Sequence, residues 1–155
     1  MKIAIIGTGN LGLSIAKGLV INNTYTTLYL TKRNLDTLSN WKEYKNITLT
    51  KDNTEALSNA DIIIFAVQPS QFDDILNEIK PILNDNHVLI STITGYTIGR
   101  METRIGNQYP IIRAMPNTAI SVGKSMTCLC NNTVGQKSLP IAEAIFNGLG
   151  TTLTI

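Results

Sequence analysis

Lys2-Ile3-Ala4-Ile5-Ile6-Gly7-Thr8-Gly9-Asn10-Leu11-Gly12 is an apolar run that empties directly into G-x-G-x-x-G. Residues 2–6 predict a buried strand. Residues 10–22 predict a helix in which Gly12, Ile15, Ala16 and Leu19 recur at helical spacing and form the stripe facing a sheet. Each glycine then has its own task. Gly7 permits the tight turn, Gly9 carries no side chain to keep a pyrophosphate off the backbone, and Gly12 lets the helix lie close on the sheet. The free N–H groups of the first helical turn, at the positive end of the helix dipole, suit phosphate. Gly7, Thr8, Gly9, Asn10, Leu11 and Gly12 are therefore candidate contacts to a dinucleotide.

Working outward, strands are expected near 26–31, 47–49, 61–67, 87–92, 110–114, 125–130 and 151–155. Further helices are expected near 34–43, 53–59, 70–83, 97–105 and 134–148. This alternation implies an α/β fold of the Rossmann type, a doubly wound and mostly parallel sheet flanked by helices on both faces. Residues 1–155 read as a single domain with no linker or repeat. In the helix after Pro69, Ser70 is the expected N-cap, Asp73 and Asp74 complement the positive end of the dipole, and Phe72, Ile75, Leu76 and Ile79 face inward.

The chain has 155 residues, enough for one normal core, and a net charge of +2 with 15% charged residues. No basic stripe or acidic tail is present, which argues against nucleic acid or an anionic membrane surface as partner. Its apolar runs are too short to span a bilayer, and no signal-peptide pattern opens the chain. Cys128 and Cys130 are read as strand residues on opposite faces, giving neither a disulfide nor a metal site. A reducing cytoplasm is the expected location.

Doubly wound sheets bind ligands beyond the carboxyl ends of their strands. NAD enzymes place an acidic residue at the end of the second strand, about twenty residues past the glycines, to hold the ribose 2′-hydroxyl. Here that strand ends Thr31-Lys32-Arg33-Asn34, with no carboxylate. A 2′-phosphate would meet a hydroxyl, an ammonium, a guanidinium and an amide, and Arg33 can place two donors on its oxygens. NADP is the expected cofactor, with NADPH preferred over NADH. The fourth strand ends Ala66-Val67-Gln68-Pro69, whose backbone would run under the nicotinamide ribose. The fifth ends Ser91-Thr92-Ile93-Thr94-Gly95, where Gly95 allows close approach to the ring. The sixth leads into Arg113-Ala114-Met115-Pro116-Asn117-Thr118.

Arg113–Ala119, followed by Val122-Gly123, resembles the R-x-M-P-N-T-P…G stretch of pyrroline-5-carboxylate reductases. The likeness runs along the whole chain. Ile3–Gly12 is similar to that family's opening, Ala66–Pro69 to its A-V-K-P turn, and Ser91–Gly95 to its S-x-x-A-G turn. The resemblance implies that Asn53 contacts the adenosine ribose, that Met115, Asn117 and Thr118 lie on the substrate side, and that 1-pyrroline-5-carboxylate is reduced to L-proline. The chain departs from the family pattern at Gln68 (usually lysine), Thr94 (alanine), Ala119 (proline) and Lys124-Ser125 (a Glu-Gly-like pair). The resemblance further implies a helical C-terminal domain, absent from this chain, that completes the substrate pocket and forms a homo-oligomer. The fragment alone is then expected to be inactive and monomeric. Two alternatives stand beside this reading. One is a stand-alone, non-catalytic module that binds or senses NADP(H). The other is a divergent imine reductase, hydroxyacid dehydrogenase or deazaflavin-linked oxidoreductase domain.

Other conspicuous residues read as structural. His87 sits at the start of a strand, the end opposite an active site. Trp41 and Tyr44 are spaced for packing, Ser14 has no neighbouring base, and Arg113 is expected to brace its loop. No catalytic side chain and no metal ligand are expected, because the cofactor itself carries the hydride.

Overall fold

The computed structural model describes all residues, Met1–Ile155. Eight strands form one sheet: β1 (Lys2–Ile6), β2 (Thr27–Thr31), β3 (Ile47–Thr50), β4 (Ile62–Phe65), β5 (Val88–Ser91), β6 (Ile111–Met115), β7 (Ser125–Asn131) and β8 (Gly150–Thr154). Their order is β3-β2-β1-β4-β5-β6-β7-β8. Every neighbouring pair is parallel except β6 and β7. The fold class is thus the expected Rossmann-type α/β. From β1 the chain winds to one side through β2 and β3, and from β4 it winds to the other. A crevice therefore opens at the carboxyl ends between β1 and β4.

Five α-helices flank the sheet: α1 (Asn10–Ile21), α2 (Asn53–Ser58), α3 (Pro69–Ile79), α4 (Ile98–Ile105) and α5 (Leu139–Asn147). Alternation along each strand divides the interior into two cores. Ile3 and Ile5 join Ile15, Leu19 and Phe146 under α1 and α5. Ala4 and Ile6 join Leu57, Phe72 and Met101 under α2, α3 and α4. Central β4 is buried at every position, as its uninterrupted apolar sequence requires.

Several local expectations need correction. Strand β4 ends at Phe65 rather than residue 67, because Ala66 and Val67 turn away to line the crevice. Residues Leu35–Glu43 form a 3₁₀ segment, not an α-helix. Leu35, Leu38 and Trp41 are spaced by three, so a three-residue turn keeps them on one face, and Leu38 and Trp41 are buried there. The helix expected over 70–83 is α3 followed by a 3₁₀ turn at Lys80–Ile82. Its N-cap is Gln68 and not Ser70, since Pro69 fits the first helical position, where no N–H is needed. The last helix is likewise split into a 3₁₀ turn, Val134–Ser138, and α5.

Helical cover on both faces fails at one place. Met126, Leu153 and Ile155 are exposed on the face of β7 and β8 turned away from α5. Cys128 and Cys130 share that face instead of lying on opposite ones, as positions two apart on a strand must. Both are half-buried free thiols.

Candidate functional site

The crevice is a cavity of about 630 Å³ lined by the exits of β1, β2, β3 and β4 and by one face of α3. Three glycines shape its floor for three different reasons. Gly7 has φ +91°, and a Cβ there would lie 2.5 Å from Val67 Cγ1 and 2.9 Å from the Ala66 carbonyl oxygen. Glycine is thus demanded both by conformation and by contact with the β4 exit. Gly12 is buried, and a Cβ on it would collide with the Gly7 carbonyl oxygen. Gly9 is different. Its φ is −75°, which any residue adopts, and a Cβ would meet nothing within 4 Å. Neither strain nor packing within the protein calls for glycine at position 9, so the space it leaves belongs to the cavity. Gly9 is also the N-cap of α1 and offers no side-chain cap. The first-turn N–H groups therefore have no side-chain acceptor from the cap and suit an anion.

Thr31 locks this loop to β2. It is buried, its hydroxyl accepts from Gly7 N at 3.1 Å, and its carbonyl accepts from Thr8 Oγ1 at 2.9 Å. That corrects one expectation: the Thr31 hydroxyl holds the glycine turn and is not a spare group for a phosphate.

The cation-rich end follows from register. Thr31 and Thr50 are partners on adjacent parallel strands, and Lys32 N donates to the Thr50 carbonyl at 3.3 Å. Lys32 and Lys51 consequently leave neighbouring strand ends side by side, and both line the cavity with Arg33 and Asn34. None of the three cations has an ion-pair partner; the only salt bridges in the molecule converge on Asp73. Asp74 and Glu78 line the same cavity but lie outside ion-pair distance of these cations, which are left free to meet an anion from outside. Asn34 caps the 3₁₀ segment through Asp36 N at 3.1 Å. Asn53 opens α2 behind the N-cap Asp52 and donates to Glu78 Oε2 at 3.2 Å. Hydrogen bonds from Thr54 and Glu55 hold the Asp52 carboxyl below its ordinary range.

The cavity thus unites Gly7, Thr8, Gly9, Lys32, Arg33, Asn34, Asn53, Ala66, Val67 and Gln68. Pro69 stands just behind them at the start of α3, and Gly12 underlies the turn. Asn10 and Leu11 line a second, smaller cavity of about 280 Å³ instead, together with Asn117 and Thr118. There Asn117 accepts from Ala119 N at 3.2 Å and so caps the turn Thr118–Val122. Met115, Thr94 and Gly95 line neither cavity. Gly95 has φ +70° with open space where a Cβ would project.

Sequence reading did not place Lys51, Ser70, Gln71, Asp74, Ile75 or Glu78 at the site, yet all of them line the main cavity. Gln71, Asp74, Ile75 and Glu78 recur at one-turn spacing, so a single face of α3 carries them; that periodicity was the available signal. Asp73 is also reassigned. It does not serve the helix start but accepts from the Tyr96 hydroxyl, from Arg100 Nη2 at 3.2 Å and from Arg104 Nη2 at 2.9 Å. The phenol hydrogen bond, followed by the two guanidinium charges, holds its carboxyl below the usual range. Burial, then the bond to Asp73, raises the Tyr96 phenol. The buried Nε of Arg113 has no hydrogen-bond partner. His87 is buried at the amino end of β5, with Asn84 N donating to Nδ1 at 3.2 Å and Nε2 at 3.2 Å from the Leu57 carbonyl oxygen. Burial is the main cause lowering its pKa.

Residues 2–95 match the family described as NADP oxidoreductase coenzyme F420-dependent, and those residues hold the whole glycine loop and the main cavity. The chain belongs to that family. It is also 39% identical to pyrroline-5-carboxylate reductase 1 of Dictyostelium discoideum, over 99% of this chain and 30% of that protein. A solved pyrroline-5-carboxylate reductase from Coxiella burnetii superposes with TM-score 0.93 at 33% identity, covering 99% of this chain and 58% of that one. The Plasmodium falciparum pyrroline carboxylate reductase solved with NADP bound gives TM-score 0.86 at 29% identity, covering 100% and 57%. The chain therefore spans less than two thirds of each of these relatives. No helix is long and apolar enough to cross a membrane.

Proposed function

We propose that this chain is the NADP-binding half of a pyrroline-5-carboxylate reductase, with NADPH preferred over NADH. The observation that carries the reading is the cavity: a floor opened by Gly9 with no internal reason for glycine, and a rim of three cations without partners. Both fit a dinucleotide bearing an extra phosphate. The α1 N–H groups and Gly9 would hold the pyrophosphate, Lys32 and Arg33 the 2′-phosphate, and Asn53 the adenosine ribose. Ala66–Pro69 and Thr94–Gly95 would flank the nicotinamide.

When bound, the cofactor supplies the hydride for reduction of the C=N bond of 1-pyrroline-5-carboxylate. This chain's part is to bind and orient. Holding the reacting atoms together lowers the barrier without any nucleophilic side chain. Met115, Asn117 and Thr118 form the substrate side in this reading, and a further helical domain would complete the pocket and the homo-oligomer. The exposed Met126, Leu153 and Ile155 are consistent with a surface that another segment or subunit covers. The free thiols of Cys128 and Cys130 fit a reducing cytoplasm.

Titration with NADPH and NADH, followed by reduced-nicotinamide fluorescence, tests the cofactor assignment. NADPH is expected to bind at least tenfold more tightly, as one or two charge-assisted bonds to a phosphate imply. Equal affinity would remove the 2′-phosphate assignment, and no binding of either would remove the reading altogether. Turnover of 1-pyrroline-5-carboxylate by this chain alone is expected to be negligible; a measurable rate would show that no further domain is required.

A further inference from the structure

The two turns assigned to the nicotinamide leave different strands. Gln68-Pro69 follows β4 and opens α3, whereas Thr94-Gly95 follows β5. Their separation sets the width of the slot a nicotinamide ring would enter. Tyr96, the residue after Gly95, is 1% exposed and lies edge-on to Phe72 of α3, with ring centroids 4.7 Å apart. Its hydroxyl donates to Asp73 Oδ1. The other carboxylate oxygen takes Arg100 and Arg104 from α4, and the Arg100 guanidinium lies 4.2 Å from the centre of the Tyr96 ring. One carboxylate on the first helical turns after Pro69 thereby ties down the segment that carries Gly95. Those are the only ion pairs in the molecule. The raised phenol and depressed carboxyl keep donor and acceptor in the required forms at neutral pH.

We propose that Tyr96 and Asp73 are positioning residues that fix the gap between the Gln68-Pro69 and Thr94-Gly95 turns and so set how firmly the nicotinamide half of the cofactor is held. Neither residue lines the main cavity, so both act through the backbone of the two turns. The inference rests on the dinucleotide reading given above. A clamp of this kind governs one half of the ligand and leaves the adenosine half alone.

That asymmetry supplies the test. Wild type, Tyr96→Phe and Asp73→Asn are titrated with NADPH and with adenosine 2′,5′-bisphosphate, which lacks the nicotinamide half. Tyr96→Phe keeps the ring packing and removes only the hydroxyl. It is expected to weaken NADPH about fivefold, to leave adenosine bisphosphate within about twofold, and to reduce the fluorescence gain of bound nicotinamide. Should that variant fail to fold, Asp73→Asn, which keeps the side-chain shape, is read by the same ratio. Equal weakening of both ligands would show a merely structural role and overturn the proposal, as would unchanged NADPH affinity. Wild type binding the bisphosphate and NADPH equally well would overturn it too, because the nicotinamide would then go unheld. Wild type binding neither would overturn the dinucleotide reading itself.

Discussion

The rim at the ends of β2 and β3 and the bridge between α3 and α4 both gather charge, and they do opposite things with it. At the rim, Lys32, Arg33 and Lys51 line a cavity and pair with nothing. At the bridge, Asp73 collects two arginines and a buried phenol within one short stretch of surface. Paired charge here fastens scaffold to scaffold, whereas unpaired charge around a hollow awaits a partner from outside. The same contrast divides the glycines. Gly7 and Gly12 are fixed by the protein's own geometry, and Gly9 by none of it.

The largest expected effect separates those glycines. Gly12→Ala drives a Cβ into the Gly7 carbonyl oxygen, and overpacking of that kind should cost about 2 kcal/mol in denaturant unfolding while destroying the loop for NADPH. Gly9→Ala should change stability by less than about 1 kcal/mol, the order of an N-cap preference, and still weaken NADPH more than about tenfold. Loss of stability at Gly9 with binding intact would erase the distinction. Next comes the rim: Arg33→Asp should weaken NADPH by about a hundredfold relative to NADH, since it replaces a charge-assisted donor with a repelling carboxylate. Equal losses for both cofactors would break the assignment.

Protonation tests a region remote from the cleft. The His87 imidazole is held below its ordinary 6.5, chiefly by burial. The unfolded chain therefore binds the proton more readily, and the stability contributed by neutral His87 is present above 6.5 and lost as pH falls below it. Melting temperature should drop between pH 7.5 and 5.5, and His87→Gln should flatten that drop. The smallest effect belongs to Lys51, an exposed cation on the rim. Lys51→Ala should weaken NADPH by about twofold to threefold, an effect of the size of one solvent-screened pair, and added salt should shrink the difference.

Much of this was legible in the sequence, and for identifiable reasons. Strand, turn and helix at residues 2–22 announce themselves because an unbroken apolar run, helical periodicity and glycine chemistry are local. The rim was legible because the second strand ends without an acid. Partners far apart in sequence were not. Asp73 reads as a helix-start charge until α4, 27 and 31 residues further on, brings Arg100 and Arg104 to it. Thr31 reads as a phosphate ligand until Gly7, 24 residues away, takes its hydroxyl. Lys51 stayed hidden because only the β2–β3 register places it beside Lys32. The 3₁₀ segment carried a signal of its own, in the three-residue spacing of Leu35, Leu38 and Trp41.

The most direct test of the account is a crystal structure of this chain with NADPH bound. The pyrophosphate is expected over Gly9 at the amino end of α1, and the 2′-phosphate within hydrogen-bonding distance of Lys32 or Arg33. A 2′-phosphate turned into solvent, with those cations uninvolved, would contradict it.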